Sequence, residues 1–279
     1  MKNVLALDIG GTNIRCAVID EDLNILKVIR RSTTVGSIKL FLEQVCSIID
    51  EIEPETFHVS AITAGVPGRV RWDGFIDALP NIHIDNIPLK EYLEARYKIP
   101  VHVKNDAEVA GIAEGIAGAG KDYRSSFFIT ISTGIGGALV CDHRLKNSSY
   151  EIGHTLFNYR GNYYEFEKIA SGNGIAQLLE LNGVPVLPAH QFFDHVASKD
   201  ELYLGAYHDW LALMSAFFQY IHKAFEPDVI VLSGGVMKSS KVFFDDLQVL
   251  NTDIVLKRAL FDQDAGLIGA ACYAFVMVK

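Results

Sequence analysis

Near the start of the chain the apolar positions fall into short runs separated by polar turns that carry glycine. Val4, Leu5 and Leu7 make one run and Cys16, Ala17, Val18 and Ile19 another. Between them Gly10, Gly11, Thr12 and Asn13 tolerate positive φ, so the pattern predicts a β-hairpin. Residues 25–29 can add a third strand. Phe41, Val45, Ile48, Ile49 and Ile52 then recur at helical spacing, giving a βββα start. Residues 59–63 read as a short strand bounded by Gly65 and Pro67, 89–97 as a small helix, and 101–103 as a strand ending at Asn105 and Asp106. The small-residue run 107–119 reads as a helix capped by Asn105 or Asp106, where the chain crosses from one half to the next.

The plan of the first hairpin then recurs. Residues 127–140 form strand, turn and strand again, with Thr133, Gly134, Gly136 and Gly137 in the turn; Asp142, His143 and Arg144 match the polar turn of Asp20, Glu21 and Asp22. Each copy is followed by an apolar strand running into glycine, at 59–65 and at 229–235. A glycine turn exposes backbone N–H groups that phosphate oxygens can take, Thr12 adds a hydroxyl, and Asp8 at the strand end can hold Mg²⁺ through water. Two such halves fit one nucleotide. Residues 150–208 have no counterpart in the first half and read as an insertion. Leu211, Met214, Phe217, Phe218, Ile221 and Phe225 mark a long helix, the strand 229–232 follows, and 265–277 reads as a final helix.

With 279 residues, 49 % of them hydrophobic, the chain can bury a large core, and the repeat favours two lobes. A net charge of −9 and a pI near 5.5 argue against nucleic acid as a partner. Cys16, Cys46, Cys141 and Cys272 are far apart with no metal-type spacing, and read as reduced residues of a cytoplasmic protein. No apolar run is long enough for a membrane span, and with Met1-Lys-Asn-Val-Leu5 running straight into a strand no targeting segment is expected.

The order of motifs resembles the sugar-kinase, heat-shock-protein-70 and actin superfamily, and within it the ROK family of bacterial sugar kinases and repressors. The resemblance covers nearly the whole chain. It rests on Asp8-Ile-Gly-Gly-Thr12, Gly65-Val-Pro-Gly68, Pro80-Asn81, Asn105-Asp-Ala107, Thr133-Gly-Ile-Gly-Gly137, Glu151-Ile-Gly-His154, Glu167 with Ala170-Ser-Gly172, Ser233-Gly-Gly235 and Asp264-Ala-Gly-Leu-Ile-Gly-Ala270. It implies an α/β, two-lobed actin-like or ribonuclease-H-like ATPase fold of duplicated βββαβα units, with ATP and sugar in the interdomain cleft. The lobes would be 1–107 plus 264–279 and 108–263.

The resemblance further implies an ATP- and Mg²⁺-dependent kinase for the 6-hydroxyl of a hexose or N-acetylhexosamine of the glucose or N-acetylmannosamine class. Asp106, which on its own reads more readily as a helix cap, becomes the catalytic base. Asn81, Asn105, Glu151, His154 and Glu167 become sugar ligands. Asp8, Gly10, Gly11, Thr12, Thr133, Gly134, Gly136, Gly234 and Gly235 become the nucleotide site, with a homodimer expected. Many family members hold a structural zinc with one histidine and three cysteines. Asn158, Arg160 and Glu165 stand at the cysteine positions here, so no sulfur zinc site is expected, and packing of Phe157, Tyr159, Tyr163, Tyr164 and Phe166 is expected to order the loop. The alternatives are a β-glucoside kinase and a sugar-responsive transcriptional regulator. The regulators carry an N-terminal helix-turn-helix, whereas only Met1, Lys2 and Asn3 precede the first strand. A chaperone-type nucleotide-dependent scaffold would need long extra domains. A Rossmann oxidoreductase is excluded because both glycine turns join two strands rather than open a helix.

Overall fold

The computed structural model describes residues 2–34, 36–261 and 263–277, and the side chains of all of these except 147–150. The chain divides into two compact units, Met1–Gly118 with Phe261–Lys279, and Ala119–Leu260.

The first unit opens with β1 (Asn3–Ile9), β2 (Asn13–Asp20) and β3 (Ile25–Ser32), an antiparallel meander followed by α1 (Ile38–Ile52). Helix α1 is capped by the Ser37 side chain and buries Phe41, Val45, Ile48, Ile49 and Ile52, the stripe its spacing implies. Strand β4 (Val59–Val66) lies parallel to β1 and runs through Gly65, which pairs with Asp8 inside the sheet and so does not end the strand. Next come three short strands, β5 (Arg69–Val70), β6 (Ile76–Leu79) and β7 (Ile84–Ile87), which form a small antiparallel sheet of their own. Helix α2 (Leu89–Tyr97) leads to β8 (Val101–Asn105), parallel to β4, and α3 (Asp106–Ile116).

The second unit repeats the plan. Strands β9 (Ser125–Ile131), β10 (Ile135–Cys141) and β11 (Arg144–Tyr150) form its meander. A short 3₁₀ turn at Ile152–His154 precedes the hairpin β12 (Leu156–Tyr159) and β13 (Asn162–Glu165). Then follow α4 (Phe166–Ala170), α5 (Gly174–Leu181), α6 (Ala189–Ala197), α7 (Glu201–Phe225), β14 (Val229–Ser233), α8 (Ser240–Leu250) and β15 (Leu256–Arg258). Helix α9 (Ala265–Met277) returns to the first unit and packs on α3 and β1.

The duplication is visible in the strand order, β3-β2-β1-β4-β8 in one sheet and β11-β10-β9-β14-β15 in the other. In both, three antiparallel strands are extended by two parallel ones. Parallel strands need buried faces, and β4 and β14 are accordingly lined by fully or nearly fully buried Ala61, Ile62, Ala64, Val229, Ile230 and Val231. The core of the second unit is aromatic. Phe166 stacks on Phe217 with centroids 4.0 Å apart, and Phe193, Trp210 and Phe243 pack within 5.1 Å of one another. Each such side chain, fully buried, contributes about 1.5–3 kcal/mol.

Helix α7 begins at Glu201, inside the stretch read as an insertion, because Asp200 caps it through Leu202 N–H. The 158–167 loop is a hairpin closed by Arg160 and Gly161, whose φ angles of 51° and 84° suit a tight two-residue turn. Phe157 packs 4.9 Å from Phe166, and Tyr159 is buried with its hydroxyl donating to Asp209. Tyr163 is 71 % exposed, which removes it from the aromatic set expected to order this loop.

Candidate active site

In the first hairpin β1 and β2 pair from Asn3 opposite Asp20 to Ile9 opposite Ile14, leaving Gly10, Gly11 and Thr12 as the turn. The Gly10 N–H donates to the Asn13 carbonyl at 2.8 Å, the Thr33 hydroxyl to the Gly10 carbonyl at 2.6 Å, and the Thr33 N–H to the Thr12 carbonyl at 2.9 Å. The Gly10 and Thr12 carbonyls are thus tied back, while no hydrogen bond among the described residues takes the Gly11 or Thr12 N–H. This makes a concave donor surface suited to an anion. A side chain at position 11 would come within 2.8 Å of Asn81 Cβ, so glycine there lets Asn81 abut the turn. A cavity of about 350 Å³ opens here, lined by Asp8, the turn residues, Arg15, Arg30 and Gln263.

Asp8 does not stand free. The hairpin register sets it opposite Arg15, whose Nε and Nη2 donate to Asp8 Oδ2 at 3.0 and 2.6 Å. Arg15 also donates to Asp264 at 2.9 Å and to the Gln263 carbonyl. Asp8 Oδ1 enters no hydrogen bond among the described residues, so the carboxylate fits a hydrated Mg²⁺ through that oxygen. Arg15 and Arg30 were not among the expected site residues, although the hairpin register that fixes Asp8 also fixes Arg15.

The second turn has the same construction. Ser132 N–H donates to the Gly134 carbonyl at 2.9 Å, the Ser171 hydroxyl to the Thr133 carbonyl at 2.9 Å, and the Gly172 N–H to the Ser132 carbonyl at 2.7 Å. Again the Thr133 and Gly134 N–H groups are left untaken among the described residues. Gly136 lies in β10 opposite Thr130, within the strand and not in the turn. Gly234 follows β14 at φ 100°, with the Ile131 carbonyl where a Cβ would sit, so only glycine fits. Gly235 and Thr133 border a second cavity, of about 430 Å³, with Asn173, His190 and Lys238. The last three carry no motif and escaped the sequence reading.

At the carboxyl end of β8 the cap of α3 is Asn105. Its Oδ1 accepts from Ala107 N–H at 2.9 Å, its N–H donates to Glu108 in a reciprocal capping box at 3.1 Å, and its Nδ2 donates to the Gly68 carbonyl at 3.0 Å. Asp106 is therefore the first helical residue and not the cap. Its side chain is exposed by surface area yet ringed closely by protein. That desolvation, with the nearby Asp8 and Glu108 carboxylates adding and the Ala107 N–H opposing, pushes its carboxyl up to about 6, against solvent screening on its open side.

In the second unit Glu151, His154, Glu165 and Glu167 gather around the 3₁₀ turn. His154 Nδ1 is 3.0 Å from Glu165 Oε2, and Nε2 is 3.9 Å from Glu151 Oε2. Glu167 Oε2 accepts from Ile135 N–H at 3.3 Å, beside the second glycine turn, while Oε1 lies 3.4 Å from Lys168 Nζ. The Glu165 hydrogen bond and the surrounding carboxylates raise the His154 pKa above its ordinary value, with partial desolvation opposing.

A sulfur zinc site does not fit this loop. Asn158 accepts from Gly161 N–H at 3.3 Å. Arg160 donates to Leu181, Asn182 and Asp209, and Glu165 offers an oxygen that the imidazole has already engaged.

The model of the ROK family matches residues 4–275. The chain belongs to the ROK family. It is 32 % identical over 258 residues to an uncharacterized protein of Clostridium perfringens, covering 85 % of this chain and 82 % of that one. It is 26 % identical over 309 residues to a glucokinase of Thermotoga maritima, with 96 % of each covered. Among solved structures the ROK hexokinase of Thermus thermophilus superposes with a TM-score of 0.86 at 27 % identity over 99 % of both chains. The fold is that of the actin-like ATPases. Among the described residues no helix is long and apolar enough to cross a membrane.

Proposed function

We infer that this ROK-family chain, an ATP-dependent carbohydrate kinase, phosphorylates the 6-hydroxyl of a hexose or N-acetylhexosamine of the glucose or N-acetylmannosamine class. One observation carries the reading. In both hairpin turns carbonyls are tied by hydrogen bonds while two adjacent N–H groups are untaken among the described residues, once in each copy of the repeat. A lone glycine turn is common, but a duplicated donor cradle suits the phosphates of a nucleotide.

Phosphoryl transfer asks the protein mainly to position and to neutralise charge. Gly11, Thr12, Thr133 and Gly134 would hold phosphate oxygens, with Gly10 shaping the first turn through its bond to the Asn13 carbonyl; Asp8 Oδ1 would hold a hydrated Mg²⁺ that offsets their charge, and Gly234 and Gly235 the adenosine. Asp106 would orient the attacking hydroxyl and take its proton. A carboxyl raised to about 6 is a better base than an ordinary aspartate and still ionised near neutrality. Asn81, Asn105, Glu151, His154 and Glu167 would pair with the ring hydroxyls. Asn105 spends its oxygen on the helix cap and one N–H on Gly68, which leaves it a single donor for sugar.

A coupled ADP-release screen against glucose, mannose, N-acetylmannosamine, N-acetylglucosamine, fructose and a β-glucoside tests the reading. Turnover of an aldohexose or its N-acetylamine is expected, with little on fructose. Turnover restricted to β-glucosides would replace the substrate, and no ATP-dependent phosphorylation of any of them would end the proposal.

A further inference from the structure

We infer that Glu165 is the positioning residue for His154, fixing by a hydrogen bond the orientation of an exposed imidazole. This rests on the hexose-kinase reading of the site. His154 ends a three-residue 3₁₀ turn and its side chain is 51 % exposed, so packing alone does not set its ring. What does hold it is the 3.0 Å bond from Nδ1 to Glu165 Oε2. An ionised carboxylate can only accept a hydrogen bond, so Nδ1 carries the hydrogen it donates and Nε2 is presented to the sugar. The 3.9 Å from Nε2 to Glu151 Oε2 is beyond a direct hydrogen bond, which leaves Nε2 for a hydroxyl that Glu151 can share.

Glu165 can do this because its backbone is immobilised. It closes β13 opposite Leu156, and the next residue, Phe166, is fully buried and stacked on Phe217. The charged groups around the ring are Glu151, Glu165 and Glu167, with Lys168 paired to Glu167. These carboxylates raise the His154 pKa, and in the neutral ring the Glu165 bond selects the tautomer with its hydrogen on Nδ1. The hairpin that replaces the cysteine loop therefore does more than fill space: it delivers one carboxylate oxygen to the ring nitrogen facing away from the substrate.

The test uses the full chain with Glu165→Ala and Glu165→Gln, thermal melts to confirm folding, steady-state kinetics, and the His154 tautomer by ¹⁵N NMR on unliganded protein. Glu165→Ala is expected to raise the KM for sugar about tenfold, leaving kcat and the KM for ATP within about threefold, as for loss of one charge-assisted hydrogen bond. It should also mix the two His154 tautomers. Glu165→Gln, whose amide oxygen can still accept from Nδ1–H, should recover most of the affinity and the single tautomer. An unchanged tautomer and sugar KM in Glu165→Ala would overturn the proposal. So would wild-type protein whose sugar affinity is lost on chelation and restored by Zn²⁺. If the wild type phosphorylates no sugar the kinase reading fails, yet the tautomer of the unliganded protein still decides the role of Glu165.

Discussion

Asp106 is where the chemistry of the proposed reaction concentrates. Replacing it with asparagine keeps its size and its place at the start of α3, so folding and sugar binding should persist while kcat falls about 10²–10⁴-fold, the usual range for losing a general base. Wild-type kcat/KM should fall as pH drops through about 6, because the raised carboxyl must be ionised to accept the hydroxyl proton and protonates in that region. Initial rates from acid to neutral pH check this. A flat profile across that range, or near-normal turnover by Asp106→Asn, would remove Asp106 from the mechanism. Arg15 shows what register adds at this scale: the hairpin pairs Ile9 with Ile14 beside the turn and therefore Asp8 with Arg15 one step further along, so these two form a pair and not two separate features.

The elements carry predictions of their own. Asn105→Ala removes the acceptor for Ala107 N–H and the donor for Gly68, and should destabilise the protein by about 1–2 kcal/mol in urea titration, whereas Asn105→Asp keeps the cap and should cost less. Phe166→Ala removes the ring stacked on Phe217 under the β12–β13 hairpin and should cost about 3–5 kcal/mol. A loss under 1 kcal/mol would mean that packing does not order this loop. The long periodic helices and both glycine hairpins were legible in the sequence, since α1 and the apolar runs of β1, β2, β9 and β10 have strong patterns. The small sheet of β5, β6 and β7 was not, because strands of two to four residues hold too few positions to show a period. The polar edge strand β11 and the hairpin β12–β13 were also missed; the latter is built on Asn, Tyr and Arg, whose partners are distant in sequence. In the candidate site the motif residues could be read, whereas Arg30, His190 and Lys238 enter the cavities only through tertiary folding.

At the scale of the whole molecule, one strand order used twice explains why the chain has two anion-ready turns, one in each unit. The loop chemistry has a molecular consequence as well. With Asn158, Arg160 and Glu165 engaged in hydrogen bonds, elemental analysis of the purified protein should find no stoichiometric zinc, and chelation followed by Mg²⁺ should restore full turnover. One tightly held zinc per chain would show that other donors complete a site. The central claim is the transfer itself. Incubating the protein with Mg²⁺, ATP and either glucose or N-acetylmannosamine, and reading the product by ³¹P–¹H correlation NMR, tests it most directly. The account predicts phosphate coupled to the two protons on C6 of at least one of these sugars. Phosphate on any other carbon, or ATP left intact in the presence of both, would contradict it.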